Sequence, residues 1–115
     1  MKRHLFLFTV FFVLSACITL KLAERFYPGL YEGAADGYYG RIVLELETDS
    51  SSILDIKILE QHEDELIGGE AIRELRERIL EENSTDIDAI SGATITSEAF
   101  LSALNKALAQ ALIRR

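Results

Sequence analysis

Ile42-Val43-Leu44-Glu45-Leu46-Glu47-Thr48-Asp49-Ser50-Ser51-Ser52-Ile53-Leu54-Asp55-Ile56-Lys57-Ile58 is the stretch from which the fold is read. Ile42, Leu44 and Leu46 alternate with Val43, Glu45 and Glu47, so side chains of one parity form an apolar face and those of the other a mostly wet one. Leu54, Ile56 and Ile58 alternate with Asp55 and Lys57 in the same way. The polar run Thr48-Asp49-Ser50-Ser51-Ser52 between them is a turn. A connection this short makes the two strands an antiparallel hairpin whose apolar face needs a cover.

Upstream, the glycine- and tyrosine-rich segment from Leu30 to Tyr39 reads as an irregular first strand with a turn at Asp36-Gly37. Downstream, Gln61-His62-Glu63-Asp64-Glu65-Leu66-Ile67-Gly68-Gly69 is a loop of charge followed by glycine. Over residues 70–82, Ala71, Ile72, Leu75, Ile79 and Leu80 make a helical stripe, with Glu70, Arg73, Glu74, Arg76, Glu77 and Arg78 on the solvated face and Asn83-Ser84 at the end. Phe100, Leu101, Leu104, Ala107, Leu108, Ala111 and Leu112 recur at helical spacing in a closing helix over about residues 97–114, with Arg114 and Arg115 at its negative end. These two helices are the available cover. The fold class is therefore α+β: a small antiparallel sheet of about three strands under two helices.

The length of 115 residues leaves room for one domain. A single cysteine, Cys17, excludes an internal disulfide, and 12 Lys plus Arg against 19 Asp plus Glu make the chain acidic and a poor candidate for nucleic acid. Met1-Lys2-Arg3-His4 precedes an apolar run over residues 5–20, the pattern of an export signal. Sixteen helical residues span about 24 Å, short of a hydrocarbon core of about 30 Å. Leu14-Ser15-Ala16-Cys17 resembles the bacterial lipobox, which would make Cys17 a lipidation site; the alternative is an uncleaved anchor helix ending near Lys21 and Arg25. Both tether the domain outside the cytoplasm. The expected divisions are residues 1–20 as signal peptide or anchor, 21–29 as a juxtamembrane linker closing on Tyr27-Pro28-Gly29, and 30–115 as the domain.

Chemistry concentrates in Asp88-Ala89-Ile90-Ser91-Gly92-Ala93-Thr94-Ile95-Thr96-Ser97. Ser91, Gly92 and Ala93 carry almost no side chain, so a ligand can come close to the backbone, and a helix start follows. One reading is an N-cap, with Thr96 or Ser97 accepting from first-turn amides and Glu98 favourable in the first turn. The other is a phosphate site, because a helix N-terminus offers unpaired N–H groups and partial positive charge. His62 beside carboxylates raises a metal or an acid–base pair, but no second histidine follows at ligand spacing, which favours an exposed loop histidine and no metal.

Asp88-x-x-Ser91-Gly92-Ala93-Thr94 is similar to the flavinylation signature D-x-x-(S/T)-G-A-(T/S) of the FMN-binding domain family. That family occurs in the covalent-flavin subunits of sodium-translocating NADH:quinone reductase and Rnf-type complexes, and in small free-standing extracytoplasmic domains. The resemblance covers about residues 30–112. It implies FMN joined through its phosphate, as a phosphoester, to Thr94, with Ser91, Gly92, Ala93 and Thr96 around the phosphate and Asp88 read by a flavin transferase that uses FAD as FMN donor. The family pattern Y-x-G-x-A-x-G-Y-x-G lies near the flavin and is matched from Tyr31 to Gly40, so Tyr38 or Tyr39 is implied beside the ring. A third family segment, H-x-E-T-P-G-L-G, is thought to approach the cofactor; His62, Gly68 and Gly69 match it in kind, while acidic and aliphatic residues replace its Thr-Pro pair.

No nucleophile–base pair or substrate pocket is evident, so the resemblance implies an electron carrier with redox partner proteins rather than a self-contained enzyme. A covalent bond keeps FMN from being lost into a space that cannot resupply it, and the flavin supplies the redox chemistry. Two other classes stay open: an accessory flavin subunit of a larger membrane redox complex or reductase, and a non-flavin lipoprotein interaction module in which the motif is only a helix cap.

Overall fold

The computed structural model describes residues 25–113; the export or anchor segment, Cys17 and the terminal Arg114 and Arg115 lie outside the described residues. Three strands, β1 (Gly29–Asp36), β2 (Arg41–Thr48) and β3 (Ile53–Glu60), form an antiparallel sheet in the order β1-β2-β3. Two helices follow, α1 (Gly68–Glu82) and α2 (Thr94–Ala111). The α+β class expected from the alternation is the one found.

Register explains which residues face the helices. Tyr31 stands opposite Leu46, Gly33 opposite Leu44 and Ala35 opposite Ile42, so the inner face of β1 is nearly flat where β2 contributes bulk. Helix α2 lies on β1 and β2, and α1 lies on β3 and against α2. Phe26, Ile42, Leu44, Leu46, Ile56, Leu75, Ile79, Phe100 and Leu104 are fully buried between the layers. Burying apolar area of this kind stabilises by about 25 cal/mol per Å², the dominant favourable contribution to a small domain.

The alternation in β3 is interrupted where the expected pattern was regular. Thr48 pairs Ile53 while Glu47 pairs Asp55, leaving Leu54 unopposed in a bulge. Ile53 therefore enters the core and Leu54, expected inside, is exposed. A second irregularity between Val43 and Leu44 leaves Leu59 exposed in the same way.

Side chains from the helices shield both sheet edges, which otherwise present unpaired backbone groups. On β1, the Lys106 ammonium donates to the Ala34 carbonyl at 3.1 Å and the Gln110 amide to the Glu32 carbonyl at 2.8 Å. On β3, Arg76 Nε donates to the Ile56 carbonyl at 2.6 Å while its other nitrogen pairs with Asp55. Asn83 closes α1 in the left-handed conformation, with φ 52°. Its amide accepts from Ile53 N–H at 2.8 Å and donates to the Ser51 carbonyl at 3.2 Å, fastening the helix end to the β2–β3 turn.

Three boundaries move. Helix α1 begins at Gly68 rather than residue 70, because Asp64 organises the turn before it: its carboxylate accepts from the amides of Leu66 and Ile67, and its carbonyl from that of Gly69. Helix α2 begins at Thr94 and ends at Ala111. The linker expected over residues 21–29 gives way to the domain by residue 25: Phe26 is 1% exposed, Tyr27 N–H donates to the Ala111 carbonyl at 2.7 Å, and Ile113 N–H to the Arg25 carbonyl at 3.1 Å. An apolar residue just before a Pro-Gly turn was buried by the returning end of α2, a contact no local pattern announces. Among the described residues, no helix is long and apolar enough to cross a membrane.

The tightest interlayer contact generates a test. A Cβ at Gly33 would overlap the Ala103 carbonyl oxygen and lie 3.0 Å from Ala107 N, both backbone atoms of α2. Gly33→Ala is expected to lower stability by about 1–3 kcal/mol, the usual scale of overpacking. Denaturant unfolding measures it, and an unchanged midpoint would mean that α2 can ride off the sheet freely.

Candidate functional site

The site is built around the turn that enters α2. Gly92 has φ 86°, a conformation that side chains disfavour, and open space surrounds the place a Cβ would occupy. Ala93 N–H donates to the Ile90 carbonyl at 3.0 Å, closing the turn over Ser91 and Gly92. Ser97 locks that turn to the helix: its hydroxyl accepts from Ile90 N–H at 3.0 Å and donates to the Ala93 carbonyl at 2.7 Å.

The cap expected from Thr96 or Ser97 is not formed. Ala93 is the residue preceding α2, and no side chain caps it. Thr96 and Ser97 lie inside the first turn, where their hydroxyls turn away from the first-turn amides. Among the described residues, no acceptor meets the N–H groups of Thr94, Ile95 and Thr96. Those amides and the helix dipole are what an oxyanion would use.

Thr94 is the first residue of α2 and is exposed, whereas Thr96 and Ser97 are buried. The Thr96 hydroxyl donates to Glu63 Oε1 at 2.8 Å. Glu63 is only 7% exposed and also accepts from two backbone amides, Tyr38 N–H at 2.7 Å and Tyr39 N–H at 2.8 Å. One carboxylate thus joins the β1–β2 turn to the first turn of α2. Gly37 and Gly68 make room for it, since a Cβ at either would crowd the Glu63 side chain.

Tyr38 and Tyr39 stand above this carboxylate with rings edge to face, centroids 4.7 Å apart and planes at 74°. They are 61% and 65% exposed, so neither is a core residue. With Asp64, Ile67, Gly68 and the 92–96 turn they line a cleft of about 460 Å³. That lies within the range of about 300–1,000 Å³ typical of small-molecule sites. A second groove of about 390 Å³ adjoins it across Ile67, Gly92 and Ala93, and Ser91 lines this one. The arrangement suits a molecule with an anionic group at the helix start and a flat apolar body beside the tyrosines.

The motif residues therefore divide. Gly92, Ala93, Thr94, Thr96 and Tyr38 meet at one cleft, and Ser91 borders it. Asp88 is exposed on the approach to the turn and lines neither groove. His62 lies outside the cleft, exposed, with Nε2 4.0 Å from Glu60 Oε1. Its neighbour Glu63 holds the inner position. Nothing in a run of acidic residues distinguishes the one that turns inward, and with His62 matched to the histidine of the quoted H-x-E pattern Glu63 falls on its unspecified position, so the resemblance gave no signal for it.

Comparison with known proteins agrees with this geometry. The model of the family described as the FMN-binding domain matches residues 37–109. An uncharacterised protein of Treponema pallidum is 32% identical over 82 residues, 71% of this chain and 23% of that protein. The urocanate reductase of Eggerthella lenta is 32% identical over 78 residues, 68% of this chain and 13% of the reductase. The NADH:fumarate oxidoreductase of Klebsiella pneumoniae is 32% identical over 84 residues, 73% of this chain and 9% of the oxidoreductase. The chain spans less than a quarter of the length of each of these curated relatives. Its matched segment takes in the tyrosine turn, the buried glutamate and the whole 88–97 stretch, and on that match the chain belongs to the FMN-binding domain family.

Proposed function

We propose that this chain is a membrane-tethered, extracytoplasmic flavoprotein that carries FMN in phosphoester linkage on Thr94 and serves as an electron-transfer carrier. The observation that carries the reading is the contrast among the hydroxyls of the motif. Thr94 is exposed at the first position of α2 beside the cleft, while the Thr96 and Ser97 hydroxyls are buried in internal hydrogen bonds. Ser91, the other exposed hydroxyl of the motif, lies on the turn before the helix and borders the adjoining groove.

The residues present fit the group. The free amides of Thr94, Ile95 and Thr96 face outward from the helix start, and the bare backbone at Gly92 leaves space next to them. Bound there, FMN would supply one- and two-electron redox chemistry. The protein would supply a fixed oxygen, partial neutralisation of the phosphate by the helix, and an apolar rim of Tyr38, Tyr39 and Ile67 for the ring. In the attachment step, the Thr94 oxygen forms a bond to the FMN phosphorus of FAD, the pyrophosphate bond breaks, AMP leaves, and the hydroxyl proton passes to a base of the flavin transferase. No electrons change hands in that step. Asp88, exposed and without a hydrogen-bond partner among the described residues, is suited to recognition by the transferase.

On this reading the anchor is either a lipid on Cys17 or the apolar run over residues 5–20, and redox partner proteins would meet the domain on the outer face of the membrane. A second reading has its own support. Related segments make up 13% and 9% of two named oxidoreductases, so this chain could serve as the accessory flavin domain of a larger reductase or membrane complex, with turnover in a partner. An isolated, flavinylated chain that reduces or oxidises small acceptors catalytically would count against both.

Intact mass after co-expression with a flavin transferase tests the linkage. Wild type, Ser91→Ala and Thr94→Ser should each gain one FMN, and Thr94→Val none; a labelled Thr94→Val would end the assignment. Asp88→Ala should keep its thermal midpoint, because Asp88 is exposed, yet label roughly tenfold more slowly, the equivalent of losing about 1.4 kcal/mol of enzyme contact. A labelling time course checks this, and an unchanged rate would remove Asp88 from the recognition site. Membrane-extracted native protein, weighed intact, reports lipid and flavin together.

A further inference from the structure

We infer that Glu63 is the positioning residue of the flavin site, a buried carboxylate that holds the tyrosine platform in register with the helix bearing the attachment threonine. The inference rests on the reading of Thr94 as the flavin carrier and extends it to a residue the motif does not contain.

Three donors converge on one side chain from two separate parts of the fold. Tyr38 N–H and Tyr39 N–H come from the β1–β2 turn, at 2.7 and 2.8 Å, and the Thr96 hydroxyl from α2, at 2.8 Å. Both carboxylate oxygens are engaged, and Glu63 is more than nine-tenths buried. Bonds to an ionised acceptor are shorter and stronger than neutral ones, so the three distances define a stiff bracket. Thr96 is two residues beyond Thr94 in the same helical turn. The span from the attachment oxygen to the tyrosine rings therefore runs through Glu63 and not through the solvent-exposed loops around it.

The exposure of the tyrosines makes the bracket matter. Their rings gain little from the core, and their own edge-to-face contact fixes them to each other but not to α2. Without Glu63 the β1–β2 turn keeps its internal bond, Gly37 N–H to the Gly40 carbonyl at 2.7 Å, but loses its tie to the helix. The domain would stay folded around its apolar layers while the platform drifted relative to a ring anchored only by its phosphate. Glu63→Gln replaces one oxygen with an NH₂ group that must face a backbone N–H or the Thr96 hydroxyl, so at least one of the three bonds is lost. Thr96→Val removes only the helix side of the bracket.

The experiment uses the full chain loaded by a flavin transferase, with intact mass, visible circular dichroism, flavin fluorescence and midpoint potential read on the same samples. A tyrosine held against an isoalloxazine quenches its emission by electron transfer, and a fixed ring in a chiral site gives an induced dichroic band. Glu63→Gln should label fully at Thr94 yet show a severalfold rise in fluorescence, loss of most of the dichroic band, and a potential moved towards that of free FMN. Thr96→Val should move each readout in the same direction by less. Both variants labelled, with spectra and potential as in wild type, would overturn the positioning role while leaving the Thr94 linkage intact. A wild type without flavin at Thr94 would overturn both. Should Glu63→Gln fail to fold, Thr96→Val decides: a labelled variant with wild-type spectra rejects the bracket.

Discussion

The closing helix can lie on the first strand because Gly33 has no side chain. The Ala103 carbonyl occupies the space a Cβ would need there, so backbone meets backbone across the layer. Ala99, Ala103, Ala107 and Ala111 recur every fourth residue on the same face and are all buried, which gives α2 a flat ridge against the thin inner face of β1. Phe100 and Leu104 supply the bulk beside that ridge, over β2. A contact this close admits little sliding along the helix axis. The first residue of α2, Thr94, is accordingly placed by packing some two and a half turns away from it.

Packing sets where the helix lies, but it does not set the conformation of the turn that enters it. That is done by polar groups with no solvent to compete for them. The Ser97 hydroxyl, fully buried, bridges Ile90 and Ala93 and so fixes the turn containing Ser91 and Gly92. The Glu63 carboxylate does the same for the opposite wall of the cleft. Among the described residues, no buried side-chain polar atom lacks a partner. A satisfied network in a low-dielectric interior is directional and specifies one arrangement, whereas an apolar core tolerates several. The exposed ion pairs on α1, Glu70 with Arg73 and Glu74 with Arg78, have no comparable structural consequence.

How much of this the sequence discloses depends on the range of the interaction. Period-two alternation in β2 and period-3.6 stripes in α1 and α2 are local, and the layer arrangement followed from them. The Asp36-Gly37 turn and the Asn83 stop were legible for the same reason. Bulges were not: whether Ile53 or Leu54 enters the core depends on how β3 pairs with β2, which alternation within β3 does not encode. Phe26 was hidden because its burial needs the far end of the chain. Within the site, the signature pointed to Thr94 and Gly92 directly. The local reading of Thr96 or Ser97 as a cap failed, since a hydroxyl near a helix start looks like a cap until the partner, Glu63 or Ile90, is known. Glu63 itself sits among solvated acidic residues that share its composition and none of its environment.

The distribution of apolar surface bears on what such a site could do. Leu66, Ile67, Tyr38, Tyr39 and Ile95 are exposed, and all but Leu66 line the cleft beside Thr94, with Leu66 on the adjoining groove. Large apolar side chains gathered at one end of an acidic domain are uncommon unless something covers them. On the proposed linkage at Thr94, an isoalloxazine would cover part of that rim. The cleft of about 460 Å³ is large enough to seat a ring. Substrate chemistry needs water excluded and two molecules held in line, whereas electron transfer needs only a fixed distance and an accessible edge. The exposed rim beside Thr94 is in keeping with the second requirement, which is what supports the proposed carrier reading.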